Sequence, residues 1–88
     1  MTPEQAEQAI RTALHQVAPD AALDTLGFDD DLRETLGLDS LDFLQVVELL
    51  SDRTGVRIDE DDYPQLSTMG SAVHWLSSTA PSLGRSGG

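Results

Sequence analysis

The residue best placed to do chemistry is Ser40, in the run Leu36-Gly37-Leu38-Asp39-Ser40-Leu41-Asp42. An acid and then a hydroxyl at the start of an apolar helical pattern mark Asp39 as the N-cap and put Ser40 on the helix's first turn. A serine there faces water. The free amides and the positive end of the macrodipole favour an anion, so the hydroxyl would tolerate a phosphodiester. On spacing alone the plainer reading, a helix-start serine with no further task, is the stronger one because Ser is common at such positions.

Catalysis by the chain itself finds little support. His15 and His74 fall on different expected helices, far in sequence from Ser40, and read as solvated or core-edge residues rather than as its base. There is no cysteine, which removes disulfides, thiolate metal sites and a thiol nucleophile. The runs Asp29-Asp30-Asp31 and Asp59-Glu60-Asp61-Asp62 lack the glycine and terminal glutamate of a calcium loop, so no dedicated metal site is expected. Tyr63 and Trp75 stand without a basic or aromatic cluster and read as packing aromatics.

The helix that presents Ser40 has two unlike faces. At about 100° per residue, Phe43, Val46, Val47 and Leu50 share the buried stripe, Gln45, Glu48 and Asp52 lie opposite, and Leu41 falls among those polar residues. One exposed leucine needs no explanation by itself. Beside an exposed serine and among acids, it has the make-up of a docking spot, an apolar anchor with a charged rim for a basic partner. Leu44 lies at the border of the two faces.

The elements that must hold this helix follow from caps and periodicity. Thr2, Pro3 and Gln5 open an amphipathic helix with Ala6, Ile10, Ala13, Leu14 and Val17 on one side, closed by Pro19. From Pro19 to Asp39 runs a long ordered loop, packed down by Leu23, Leu26, Phe28, Leu32, Leu36 and Leu38, with a helical turn near Asp31 to Leu36. The Ser40 helix ends at Gly55. A short acidic-nosed helical turn precedes Leu66, and Ser67 or Thr68 caps a last helix with Met69, Ala72, Val73, Leu76 and Ala80 in one stripe, closed by Pro81. The expected fold is all-α, a small antiparallel bundle of three main helices and one short one. Residues 1–80 form its single domain, and 81–88 are a mobile Gly/Ser-rich tail.

Eighty-eight residues, 39% of them hydrophobic, suffice for one small core and no second domain. No apolar run is long enough to span a bilayer, and the polar start is unlike a signal peptide, so the expected address is the cytoplasm. Sixteen acids against five arginines and no lysine give a net charge of −11, which excludes nucleic acid as a partner and steers basic proteins toward the chain. The same charge strains the folded state. Added salt or divalent cations should therefore raise the thermal midpoint near neutral pH, and a midpoint flat across ionic strength would contradict this.

The segment LGLDSLDFLQVVELL, Leu36 to Leu50, resembles the acyl carrier proteins, whose Asp-Ser-Leu motif opens their second helix. The likeness runs ungapped from Asp39 to Leu76 and, with the first helix and loop, covers about residues 3–78. The resemblance implies that Ser40, flanked by Asp39 and Leu41, carries 4′-phosphopantetheine, donated by coenzyme A through a separate phosphopantetheinyl transferase. The chain would then be a substrate rather than an enzyme, and the arm would supply the thiol that it lacks. It also implies docking through Leu41, Asp42, Glu48 and Asp52 to acyl-transferring, ketosynthase or ligase enzymes with basic surfaces, in fatty acid, polyketide or related lipid biosynthesis, by a monomer.

The sequence departs from the family in places. Gln45 and Ser51 stand where glutamate is frequent, Arg53 where acid is common, and Phe43 is bulkier than usual. These point as readily to a specialised discrete carrier as to a general fatty-acid one. The alternatives are a peptidyl or aminoacyl carrier, disfavoured by the acid before Ser40, and an acidic helical adaptor that binds a basic protein without any cofactor.

Overall fold

The structure, a computed structural model, describes residues 1–21 and 23–79. Helix α1 spans Pro3–Val17, α2 Leu32–Leu36, α3 Ser40–Thr54 and α4 Met69–Thr79, with 3-10 segments at Leu23–Thr25 and Glu60–Leu66. No strand occurs among the described residues, only an isolated antiparallel bridge between Asp31 and Thr68. The all-α architecture is that expected. Expected Ala80, Pro81 and the tail fall outside the described residues.

Each long helix starts where its cap residue dictates. Thr2 and Gln5 form a reciprocal box, Gln5 N donating to Thr2 Oγ1 at 3.1 Å and Thr2 N to Gln5 Oε1 at 3.0 Å, with Pro3 at the first turn where no amide is missed. At α4 the choice between Ser67 and Thr68 falls to Thr68, whose Oγ1 accepts from Ser71 N at 3.1 Å. Helix α3 stops at Gly55, whose φ of 73° suits a residue without a Cβ.

Helix α1 packs against both α3 and α4 and is thus the central member of the bundle. Its Ala6, Ile10, Ala13 and Leu14 are fully buried, with Val17 at the core's edge, and they meet the stripe Phe43, Val46, Val47 and Leu50 of α3 and Met69, Ala72, Val73 and Leu76 of α4. No polar or charged residue is buried among the described residues, so burial of apolar area is what holds the bundle together.

Two segments differ from the sequence reading. The acidic segment before Leu66 is a seven-residue 3-10 helix, Asp59 N donating to Asp62 Oδ2 at 3.1 Å at its start. Pro64 inside it lacks the amide that an α-helical ladder needs, which favours the tighter winding. The long connection is more structured than one turn, holding a 3-10 turn at Leu23–Thr25 as well as α2. Leu26, Leu32 and Leu38 pack down as expected and Leu23 and Leu36 in part, but Phe28 does not and is 51% exposed. Its backbone explains its position: Gly70 N donates to Phe28 O at 3.0 Å, and a Cβ on Gly70 would lie 3.2 Å from that oxygen. Leu32 N donates to Ser67 O at 2.8 Å, so the loop is tied to the start of α4 at two points.

Candidate functional site

Ser40 is the first residue of α3 and is exposed. What holds it there is the turn before it. Asp31 Oδ1 accepts from Glu34 N at 2.9 Å and starts α2, which lasts five residues before Gly37, at φ 70°, reverses the chain. Leu38 N then donates to Arg33 O at 2.9 Å, and Leu38 is buried as a peg. Asp39 caps α3, its Oδ1 accepting from Asp42 N at 2.8 Å. Asp39→Ala should lose this cap and cost about 1 kcal/mol, measurable in urea unfolding; no loss would mean that the turn is held by Leu38 alone.

Because Asp39 does the capping, the Ser40 hydroxyl is left free of structural duty. Its one hydrogen-bond partner among the described residues is Arg33, whose Nη2 lies 3.4 Å from Oγ. The same guanidinium lies over the Phe43 ring at 5.3 Å from the centroid, and Tyr63 meets that ring edge-on at 5.4 Å and 79°. Arg33 went unread in the sequence, though a signal was there: between Arg11 and Arg53 it is the sole cationic Lys or Arg, in a turn that Gly37 folds back toward the serine.

The other residues singled out are spread along α3. Leu41 is 71% exposed and Leu44 40%, placing both on the outer face, and Asp42 is half-buried. Glu48 and Asp52 are exposed and form a ridge between two grooves. One, of about 420 Å³, is lined also by Gln16, Val17, Gln45 and Leu49; the other, of about 370 Å³, by Leu44, Val47, Ser51, Ile58 and Tyr63. Eight to twelve residues beyond Ser40 at 1.5 Å each, Glu48 and Asp52 stand roughly 12–18 Å along the axis from the serine, so they belong to the same face but not to its immediate surroundings. His15 and His74 are exposed on α1 and α4, and neither bonds Ser40 Oγ. The acids of both acidic runs are engaged locally in part, Asp30 Oδ2 accepting from Gly27 N at 2.8 Å and Arg57 pairing with Asp59 at 3.2 Å.

Ser40 is thus an exposed hydroxyl on a braced turn, bonded by a guanidinium and by no histidine or carboxylate that could act as its base. The family model described as "phosphopantetheine attachment site" matches residues 8–76, most of the chain and all of α3. The chain belongs to the phosphopantetheine attachment site family. Its prosthetic group is 4′-phosphopantetheine, covalently bound. The residues present fit that group: the Ser40 hydroxyl is exposed, no carboxylate bonds it, and the one side chain that does, Arg33, is cationic. A Saccharopolyspora erythraea protein described as an acyl carrier protein is 42% identical over 40 residues, which are 46% of this chain and 42% of that protein. The matched stretch is thus less than half of that relative's length. Among the described residues no helix is long and apolar enough to cross a membrane.

Proposed function

We propose that the protein is an acyl carrier, with Ser40 as the attachment point of 4′-phosphopantetheine and acyl groups carried as thioesters. The observation that bears most weight is the Ser40 hydroxyl itself, exposed at the head of α3 within the family match and not needed for the helix cap. The arm supplies a terminal thiol, which a chain without cysteine cannot offer for thioester exchange. The chain's own contribution is to present the hydroxyl to a phosphopantetheinyl transferase, hold the turn that bears it rigid, and offer an outer face to the enzymes that load and unload the arm.

That face is Leu41, Asp42, Glu48 and Asp52. Leu41 is an apolar anchor beside the serine, and Glu48 and Asp52 are charges that a basic acyl-transferring, ketosynthase or ligase surface would meet. Gln45, Ser51 and Arg53 make it less acidic than a uniformly acidic docking helix, which points as readily to a specialised pathway, polyketide or unusual lipid, as to general fatty acid synthesis. The deciding experiment is intact mass after incubation with coenzyme A and a broadly acting transferase. One arm should be added per chain; an unchanged mass would reject the proposal. Loading of the modified protein with acyl and with aminoacyl donors then separates an acyl carrier from an aminoacyl carrier.

A further inference from the structure

Arg33 is the one charged side chain in contact with the Ser40 hydroxyl, and the carrier chemistry outlined above gives it no task. Among the described residues the ion pairs are Arg11 with Glu7 and Arg57 with Asp59, so Arg33 has no carboxylate within pairing distance although Asp31 and Glu34 share its groove. Arg53 likewise has no ion pair, but of the two unpaired arginines among the described residues only Arg33 reaches Ser40. Its guanidinium lies instead over the Phe43 ring, 5.3 Å from the centroid, a ring buried and buttressed edge-on by Tyr63. A cation held over a ring face keeps the donors of its N–H fork available for other acceptors, and here Nη2 meets Ser40 Oγ.

Toward a neutral hydroxyl that fork makes one long contact, 3.4 Å from Nη2 to Oγ, and spends little of its capacity. A phosphodiester on the same oxygen is an anion with two charged oxygens on one phosphorus, the acceptor that a planar guanidinium pairs best. We propose that Arg33, held on Phe43, is a positioning residue for the prosthetic group: it pairs with the phosphodiester once Ser40 is modified and fixes the root of the arm. The inference rests on Ser40 being the attachment point. It also gives a use to the bulk of Phe43, which serves at once as a core residue and as the platform under the guanidinium.

The test compares wild type, Arg33→Gln and Arg33→Lys, each unmodified and modified, with modification verified by intact mass. Arg33 is exposed, so Gln leaves the unmodified melt near wild type. Modification should favour wild type over Arg33→Gln by about 2–6 °C in the change of melting midpoint, a difference that shrinks as salt is added. The 31P resonance of the phosphodiester should move in Arg33→Gln, and Arg33→Lys should recover part of both effects because it keeps the charge but not the fork. If modification changes the midpoint and leaves the 31P resonance alike in wild type and Arg33→Gln, the role of Arg33 is overturned while the attachment at Ser40 stands. If wild type gains no mass at all, the attachment itself fails and the role of Arg33 with it.

Discussion

Ser40→Ala should abolish the mass increase that coenzyme A and a transferase give to the wild type, while leaving the melt almost untouched. Both halves follow from the same geometry. The cap of α3 is Asp39, not Ser40, and the Ser40 hydroxyl has a single long contact with Arg33. Alanine is the best helix former, and an exposed first-turn position without a cap role tolerates it within about 0.5 kcal/mol. Loss of loading in a variant that melts like wild type can then be assigned to the missing oxygen rather than to unfolding. Two of the other serines are engaged where Ser40 is not: Ser67 Oγ donates to Pro64 O at 2.9 Å and Ser77 Oγ to His74 O at 3.1 Å. A variant that still gains one arm would place the attachment elsewhere and remove the reading of this site.

Val47→Asp should have the largest effect on stability. Val47 is 4% exposed in the α3 stripe, and a carboxylate put there has no cationic partner: the residues that line its groove are apolar, hydroxylic or themselves acidic. Burying an unpaired carboxylate costs several kcal/mol even after the group shifts toward its neutral form, and small domains have only about 5–15 kcal/mol in all. An already strongly acidic chain adds repulsion to that penalty. The expected result is a chain largely unfolded at 37 °C, or one whose urea midpoint falls by more than half, followed by far-UV circular dichroism. Gln45→Lys on the exposed face is the matched control and should stay within about 0.5 kcal/mol. A native melt for Val47→Asp would mean that the buried stripe of α3 has been assigned to the wrong side.

Local chemistry carried most of what the sequence disclosed. Thr2 with Gln5, Asp39 with Asp42 and Gly55 at a positive φ are decided by neighbours within three or four residues, and each is found where the pattern puts it. The two faces of α3 follow from period alone: Phe43, Val46, Val47 and Leu50 are buried, while Leu41, Gln45, Glu48 and Asp52 are exposed. The site was legible to the same depth, because Ser40 and its cap lie in one short run. What stayed hidden depends on partners far along the chain. Phe28 reads as a packing residue until its carbonyl is seen to be claimed by Gly70, and the Asp31–Thr68 bridge joins segments that share no pattern. Arg33 is hidden for another reason. It reaches Ser40 only after Gly37 turns left-handed, and its place over Phe43 pairs a surface cation with a core ring, two classes that a hydropathy pattern assigns to separate places.

The two backbone ties between the loop and α4, Gly70 N to Phe28 O and Leu32 N to Ser67 O, involve no side-chain atom of the loop. Main-chain amides and carbonyls are the same whatever residue bears them, so substitutions at the exposed Phe28 leave its tie intact, while Leu32, 2% exposed, is held by its packing as well. The course of the segment leading to the serine is therefore insulated from mutational drift. The outer surface of this stretch is free to diversify while Ser40 keeps its place at the head of α3.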